Sequence, residues 1–335
     1  MIVSLKPNAD IDAVKRELVA RGLWVGAPLT SPEGGGAHYV IAPGSPRVDP
    51  AELARIDGIH SVAVSPSGYP RVDQAAGAVV EVRGVRVGAP CTGAPPALMC
   101  GPCSVESEDQ IQRIADTLGP QGVTFLRGGA WKPRSSPYAF QGHGEVALRW
   151  MRRAAESNGM RVVTEALSEA DAGLVAEYAD LVQVGSRNMH NYALLKVVGR
   201  TRRPVLLKRA MAATVEEWLL AGEYLLGAGS AGVIFCERGI RSFDGSTRNL
   251  LDLGAVALLS HVHRLPVIVD PSHGAGRRDL VLPLTRAALA VGAAGVMIET
   301  HDNPGRALSD GPQAMLPADL GAVASSLLGG AGGSS

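Results

Sequence analysis

The sequence predicts an α/β fold, a (β/α)8 TIM barrel preceded by a small ferredoxin-like α+β domain. From Ala97 onward the chain repeats one unit eight times: a short apolar run, a polar loop and an amphipathic helix. This alternation is typical of parallel strands joined by helices. Before residue 67, apolar runs and helical spacings follow the order βαββαβ, which indicates a ferredoxin-like unit.

Residues 1–66 form the predicted small domain. A strand at 2–5 is followed by Ile11, Val14 and Leu18 at helical spacing, and Gly22 ends the helix. Short strands at 23–25, 38–42 and 60–65 and a helix at 50–55 complete the order. Catalytic residue types do not cluster in this segment, so we expect a regulatory or interaction domain.

The barrel domain is predicted to span residues 79–328, after a linker at 67–78. Residues 79–87 alternate around Gly84 like a hairpin. The eight apolar runs then centre on ALMCGPCS, VTFLRGG, RVVTEAL, ADLVQVGSRN, PVLLKRA, AGVIFCERG, LPVIVDPSH and AAGVMIETH. A doubly wound open sheet is the alternative, but it rarely carries polar residues at the end of every strand. The Gly/Ser-rich tail 329–335 is expected to be disordered.

The composition argues against several classes of protein. A chain of 335 residues with 46% apolar content can bury a large core. Its net charge of zero gives no overall attraction for nucleic acid or an anionic membrane. No apolar run is long enough to span a bilayer, and the N-terminus lacks a signal peptide. We therefore expect a cytoplasmic protein without a nucleic-acid or membrane partner. Four cysteines do not make a disulfide scaffold.

Cationic side chains fall where the predicted strands end, at the edge on which barrel enzymes build active sites. Arginine and lysine at such an edge suit phosphate and carboxylate groups. The loop LRGGAWKPRSSPYAFQG adds further cations and hydroxyls, and a solvated basic loop is the alternative interpretation. The cations at this edge are Arg127, Lys132, Arg134, Arg187, Lys208, Arg209 and Arg238. We infer two anionic substrates or one heavily charged substrate.

A second set of side chains follows the same strand ends. Cys103 follows the first barrel strand, His273 the seventh and Glu299 the eighth, and Asp310 comes eleven residues later. A thiolate, an imidazole and two carboxylates together suit Mn²⁺, Fe²⁺, Co²⁺ or Zn²⁺. Each residue alone is more typical of a buried or structural side chain. Their shared placement at one edge favours a metal site.

Two more carboxylates lie at this edge. Asp270 comes three residues before His273 and is expected to support the site structurally. Glu165 closes the third strand and is a candidate for orienting a water molecule or pairing with a substrate-binding cation. A simple buried ion pair is the alternative for Glu165.

The motifs GPCSVES, LRGGAWKPRSSPYAFQG, VGSRNM, VLLKRA, FCERGIRSFDGSTRN, VDPSHGAGRRDLV and IETH with ALSDG occur in this order. They resemble those of 3-deoxy-D-arabino-heptulosonate 7-phosphate (DAHP) synthases, of the type I beta subclass with an N-terminal ferredoxin-like domain. The resemblance runs from about residue 79 to 328. The chain departs from the family's pattern at Ala210 and Ser186, and also at Thr300 and Asp302; a methyl group at Ala210 is expected to crowd the substrate pocket.

The resemblance implies one bound divalent metal ion, Mn²⁺ first, with Co²⁺, Fe²⁺ or Zn²⁺ as alternatives. It also implies two substrates, phosphoenolpyruvate and erythrose 4-phosphate, and a homo-oligomer, either dimer or tetramer. The implied metal ligands are Cys103, His273, Glu299 and Asp310; the phosphoenolpyruvate site is Arg127, Lys132, Arg187, Lys208 and Arg238; the aldose phosphate site is Arg134 and Ser135, with Ser136 beside them. Lys132 is the implied general acid, with a metal-bound water as the competing proton donor.

The resemblance further implies the first step of the shikimate pathway. Three alternatives stay open: 3-deoxy-D-manno-octulosonate 8-phosphate synthase, a secondary-metabolism paralogue acting on a modified aldose, and a non-catalytic amino-acid sensor on a barrel scaffold. The sequence KPRSS argues against the first, because that family carries an alanine-asparagine pair before the arginine. An aromatic amino acid is a possible effector of residues 1–66. Tyrosine-controlled relatives use a His and a Ser after the first helix, whereas this chain has Trp24 to Pro28 there, so we expect weak or altered inhibition.

Overall fold

The computed structural model describes residues 1–29, 37–42, 45–46, 48–64, 67–132, 136, 138–321 and 323. The chain divides into two compact units, Met1–Gly68 and Tyr69–Ser335. The predicted tail 329–335 lies outside the described residues. None of the described helices is long and apolar enough to cross a membrane.

The first unit is a small antiparallel sheet with helices. Its elements are β1 (Ile2–Leu5), α1 (Ile11–Ala20), β2 (His38–Val40), α2 (Pro50–Leu53) and β3 (Ile59–Ala63). The strand order is β2-β1-β3, with β1 antiparallel to both neighbours. Val3, Leu18, Tyr39 and Leu53 are fully buried in its core.

The predicted strand at 23–25 is not a continuous strand. Val25 makes one isolated antiparallel bridge to Ile41, and Leu29 makes another to His38. Pro28 lies between the two bridges and has no backbone N–H for a ladder. Two separate bridges therefore stand where the second strand of the ferredoxin-like order was predicted.

The second unit begins with a helix and a hairpin. Helix α3 (Pro70–Gln74) falls within the predicted linker and buries Val72, whose N–H donates to Glu223 at 3.0 Å. The predicted hairpin is present as β4 (Val79–Val82) and β5 (Val85–Gly88). Val82 and Val87 are buried in the same cluster as the barrel interior, so the hairpin packs against the amino ends of the barrel strands.

Eight parallel strands close into the predicted barrel, in the order in which they occur in the chain. The strands are β6 (Ala97–Gly101), β7 (Phe125–Arg127), β8 (Arg161–Ala166), β9 (Leu181–Val184), β10 (Val205–Lys208), β11 (Val233–Glu237), β12 (Val267–Val269) and β13 (Gly295–Glu299). The pairing of β13 with β6 over five residues closes the barrel.

Helices follow the strands and cover the barrel. They are α4 (Glu108–Leu118), α5 (Glu145–Ser157), α6 (Ala172–Tyr178), α7 (Tyr192–Arg200), α8 (Val215–Ala228), α9 (Leu253–Ala257), α10 (Pro271–Ala275) and α11 (Val281–Ala290). The strands are buried on both faces, with Phe125 and Leu206 inside the barrel and Leu126 and Leu207 under the helices. Because successive side chains of a strand point to opposite faces, this packing fixes which residues at a strand end can reach the cavity.

Candidate metal and anion site

A cavity with a volume of about 180 Å³, open to solvent, lies at the carboxyl ends of the barrel strands. The predicted site residues that line it are Cys103, Arg127, Lys132, Glu165, Arg187, Lys208, Arg238, His273 and Asp310. Glu299 lies at the same edge and is almost fully buried. Strand ends separated by up to 207 residues in the chain are thus brought to one place.

Four of these side chains form a compact cluster that can hold a metal ion. One ligand atom from each of Cys103, His273, Glu299 and Asp310 lies within 4.8 Å of every other. The set combines sulfur, imidazole nitrogen and carboxylate oxygen, which suits a divalent transition metal. Asp310 adopts a left-handed backbone conformation, with φ of 50°, and aspartate tolerates this conformation better than most residues do.

Lys132 lies against the cluster. Its ammonium group donates to Cys103 Sγ and lies 3.5 Å from Asp310 Oδ2. Burial alone would lower the pKa of Lys132, but Cys103 and Glu299 outweigh it and raise that pKa above its ordinary value. A protonated lysine therefore lies beside the ligands. The ligand atoms of the cluster thus already lie beside one positive charge, the ammonium group of Lys132, which is consistent with a cation site.

The pKa values of the thiol and of the carboxylates in the cluster are shifted in opposite directions. Burial, reinforced by Glu299, raises the pKa of the Cys103 thiol to about 12. Burial also acts to raise the pKa of Glu299, but His273 and Arg127 reverse this effect and lower that pKa below its ordinary value. A bound metal would oppose this shift of the Cys103 pKa and take the place of the thiol proton.

Asp270 connects the metal cluster to the anion-binding side of the cavity. It is completely buried, and it accepts hydrogen bonds from His273 Nδ1 at 2.8 Å and from Lys208 Nζ. Burial acts to raise the pKa of Asp270, but His273 and Lys208 hold it well below its usual range. Because Nδ1 of His273 donates to this carboxylate, Nε2 is left as the ligand atom.

The cations of the cavity differ in how they are held. Arg127 is buried, donates to Pro102 O at 2.9 Å and lies 3.3 Å from Glu299 Oε1. Arg187 is exposed in the turn after β9. Arg238 is buried, and its Nη1 has no hydrogen-bond partner among the residues that the structure describes. An orphaned guanidinium nitrogen in a cavity wall is best satisfied by an anionic ligand.

Glu165 lies in the cavity wall and accepts a hydrogen bond from Gln183 Nε2 at 2.9 Å. A Cβ atom on Gly185 would come within 2.0 Å of Glu165 Oε1. Because Gly185 has no side chain, the Glu165 carboxylate has room at this position.

The long loop after β7 is only partly described. Arg134 and Ser135, predicted to bind the second substrate, lie outside the described residues. Ser136 is exposed and accepts from Tyr138 N at 3.3 Å, and it is not among the described residues that line the cavity. Ala210 does not line the cavity either. It is buried in the hydrophobic cluster under the helices.

Sequence reasoning missed two polar partners of the cluster. Arg248 lines the cavity and lies 3.3 Å from Asp310 Oδ1, and it donates to Gln313 Oε1 at 3.1 Å. Gln313 in turn donates to Glu299. The available signal was position, because Gln313 follows Asp310 by three residues and Arg248 lies in the polar run after β11.

A closed (β/α)8 barrel with a four-residue metal-ligand cluster and several cations in one cavity defines a barrel protein built to bind anionic ligands beside a metal ion. Comparison with known proteins then specifies the family. The family model described as the DAHP synthetase I family matches residues 79–328. The chain belongs to this family.

Two individual relatives are similar to the chain at different levels of identity, and their names refer to different sugar products. Phospho-2-dehydro-3-deoxyheptonate aldolase of Thermotoga maritima is 53% identical over 218 residues, an alignment covering 65% of this chain and 64% of the relative. A 2-dehydro-3-deoxyphosphooctonate aldolase of Acidithiobacillus ferrooxidans is 30% identical and matches 65% of this chain and 83% of its own. The chain thus spans just under two thirds of the Thermotoga relative by this alignment.

A solved structure is similar over nearly the whole chain. The crystal structure of phospho-2-dehydro-3-deoxyheptonate aldolase (DAHP synthase) from Thermotoga maritima matches with a TM-score of 0.76 and 39% identity, covering 98% of this chain and 96% of that one. A truncated form of the Thermotoga maritima synthase matches 79% of this chain and 97% of its own length, with a TM-score of 0.72.

Replacing Asp270 by asparagine is expected to weaken divalent-metal binding by about 10–100-fold. Oδ2 of Asp270 accepts from Lys208 Nζ and His273 Nδ1, and Oδ1 accepts from His273 N. The amide has no charge, and its NH2 group would face at least one of these donors. Titration of Co²⁺ into metal-free protein, followed by visible absorption, measures the affinity. The control is Asp180→Asn, a buried carboxylate that precedes β9 at the opposite end of the barrel. Wild-type affinity in Asp270→Asn would show that His273 keeps its orientation unaided.

Gly185→Ala is expected to lower the free energy of unfolding by about 1–3 kcal/mol, because the new methyl group overlaps the Glu165 carboxylate. The matched control is Gly173→Ala in α6, where an added Cβ meets nothing within 4 Å. That change should be neutral or stabilise by up to about 1 kcal/mol. Urea unfolding of both variants provides the measurement. Equal stabilities would mean that Glu165 moves aside without cost.

Proposed function

We propose that this protein is a DAHP synthase, which condenses phosphoenolpyruvate with D-erythrose 4-phosphate to give DAHP and phosphate. One observation carries the proposal. The family's barrel places a four-ligand metal cluster and buried cations, including the orphaned Arg238, around a single cavity. Two anionic substrates need this amount of positive charge beside a metal.

The cations on the β7, β10 and β11 side are the proposed phosphoenolpyruvate site. Arg127, Lys208 and Arg238 are buried, so their hydrogen bonds to a carboxylate or phosphate form away from bulk water. Arg187, at the exposed mouth, adds a further donor. The proposal also assigns Arg134, Ser135 and Ser136 to the phosphate of erythrose 4-phosphate, on the family resemblance.

The proposed ligands of the metal are Cys103, His273, Glu299 and Asp310. Their mixed donor set and mutual distances fit one divalent ion, and Mn²⁺ is the proposed native one. An ion bound there would supply Lewis-acid polarisation of the substrate aldehyde. Asp270 and Gln313, which contact His273 and Glu299, orient the ligands.

The chemistry requires a new C–C bond, one proton and one leaving group. C3 of phosphoenolpyruvate attacks the aldehyde carbon, and water adds at C2 with loss of one proton. The C2–O bond to phosphate then breaks as the new C2 hydroxyl loses its second proton and becomes the ketone. One of these two protons replaces the one given to the aldehyde oxygen, and the other leaves with the phosphate. Lys132 is the proposed acid that protonates the aldehyde oxygen, because its raised pKa keeps it protonated and it lies against the metal cluster. Arg127, Lys208 and Arg238 hold phosphoenolpyruvate in position and stabilise charge on the departing phosphate.

The activity is tested by following phosphoenolpyruvate consumption with erythrose 4-phosphate and, separately, with a five-carbon aldose phosphate. We expect turnover with erythrose 4-phosphate, its loss on treatment with a chelator, and its return on addition of Mn²⁺ or Co²⁺. Cys103→Ser removes the soft ligand while it keeps the side-chain size, and it should bind Co²⁺ more weakly. Cys91→Ser is the control, because this thiol is exposed and lies outside the cluster.

Full activity of both chelated enzyme and Cys103→Ser in metal-free buffer would refute the metal role. Preferential use of the five-carbon sugar would refute the choice of substrate.

We further propose that residues 1–66 have a regulatory role and that the protein acts as a cytoplasmic homo-oligomer. A groove of the first unit carries charges of both signs, and several of these charges pair with one another, as in Lys6 with Asp57 at 3.3 Å and Arg21 with Glu52 at 3.5 Å. Charges that are paired in this way are not free to bind the ammonium and carboxylate groups of a zwitterionic effector. We therefore expect weak inhibition by tyrosine or phenylalanine, measured as initial rates of the full-length enzyme. Strong tyrosine inhibition would contradict this expectation.

A further inference from the structure

Two adjacent strands end in paired charged residues whose side chains take opposite directions. Lys208 and Arg209 end β10, and Glu237 and Arg238 end β11. Lys208 and Arg238 line the cavity, whereas Arg209 and Glu237 are buried and are not among the described residues of its lining. The alternation of a strand explains this division. The inner pair consists of two cations, and the outer pair consists of opposite charges.

The outer pair links the two strands behind the cavity. Arg209 Nη1 lies 3.1 Å from Glu237 Oε2 and 2.8 Å from Oδ2 of Asp252, the residue that caps α9. Its Nε donates to Ala213 O at 3.1 Å, and its guanidinium lies 5.7 Å from the ring of Trp218. Arg209 is thus held from several directions in one orientation.

The second oxygen of Glu237 fixes the turn that follows Arg238. Glu237 Oε1 accepts a hydrogen bond from Gly239 N at 2.6 Å. Gly239 has φ of 91°, and a Cβ there would come within 2.6 Å of Asn249. Arg238 lies in the chain between Glu237, whose carboxylate accepts this bond, and Gly239, whose N–H donates it. The backbone on both sides of Arg238 is therefore fixed by Glu237.

The inner pair needs such support. Lys208 and Arg238 are both buried, and like charges on neighbouring strand ends repel each other. Lys208 is paired with Asp270, but Nη1 of Arg238 has no hydrogen-bond partner among the residues described. An unpartnered guanidinium stays aimed into a cavity only where its backbone is held.

We propose that the buried ion pair between Arg209 and Glu237, called the latch below, positions Lys208 and Arg238 to bind the anionic groups of phosphoenolpyruvate. This inference rests on the proposed function, since it assigns the two cations to that substrate. Arg209 and Glu237 act through their neighbours and touch no substrate. Their role is to keep the strand ends of β10 and β11 at a fixed separation, while Lys208 is paired with Asp270 and Nη1 of Arg238 has no partner among the described residues.

A buried ion pair that only stabilises the fold is the competing explanation, and the chain contains a matched example. Arg152 Nη1 lies 3.0 Å from Asp180 Oδ2, and the same oxygen accepts from Val162 N at 2.9 Å. Asp180, like Glu237, is a buried carboxylate that pairs with an arginine and accepts from a backbone N–H, and a second arginine, Arg83, lies 3.4 Å from its Oδ1. Neither Arg152 nor Asp180 is among the described residues that line the cavity.

The test compares Glu237→Gln and Arg209→Lys with Asp180→Asn in the full-length, Mn²⁺-loaded enzyme. Calorimetric titration with phosphoenolpyruvate and with inorganic phosphate measures binding without turnover, and melting temperatures measure stability. We expect both latch variants to bind the two anions about tenfold more weakly or worse. Affinity for Co²⁺ and the KM for erythrose 4-phosphate should stay within about twofold of wild type, because their groups lie on other strands.

Asp180→Asn should be less stable than the wild type, but it should bind both anions with wild-type affinity. The proposal is overturned if Glu237→Gln binds phosphoenolpyruvate as wild type does, or no worse than Asp180→Asn does. Tighter binding by Glu237→Gln would also overturn it, since Glu237 would then act only as a nearby negative charge. Failure of the wild-type enzyme to bind either anion would instead contradict the proposed function, and this is seen before any variant is compared.

Discussion

The carboxylate of Asp270 is the constraint on which the site depends. It is completely buried, and it faces a lysine on one side and a histidine on the other. A buried carboxylate without such partners would take up a proton. Here the partners keep it ionised, and it fixes the imidazole tautomer of His273 and the position of Lys208 at once. The metal cluster and the anion pocket are therefore two halves of one electrostatic unit.

The remaining charges at this edge follow the same rule of local compensation. Arg127 lies against Glu299, Lys132 against Asp310, and Arg209 against Glu237. Removal of one member of such a pair leaves a buried charge unpaired, which costs more than the pair contributes. Arg238 is the exception, because its burial lowers its pKa and its Nη1 has no partner among the described residues. The position of an uncompensated cation indicates where the ligand's negative charge belongs.

Much of this arrangement could be predicted from the sequence, because the carboxyl ends of parallel strands meet at one edge. The repeated apolar runs predicted all eight barrel strands, and this rule then brought together Cys103, His273 and Glu299. It could not predict which of two adjacent residues faces the cavity, as with Lys208 and Arg209, since an error of one residue in the strand end reverses the direction. Helix α3 was missed because its stability comes from packing on α8 across some 150 residues of chain.

The metal cluster also affects folding, because its ligands lie on both sides of the point where the barrel closes. Cys103 follows the first barrel strand, Glu299 ends the last, and Asp310 lies beyond it, so the donors sit on both sides of the seam where β13 pairs with β6. A chain that has not joined its first and last strands cannot assemble this donor set. An ion that binds it therefore binds only the closed ring, and by mass action it stabilises closure against every open intermediate. The ion would thus stabilise the pairing of β6 with β13, which closes the longest loop that the barrel has to form.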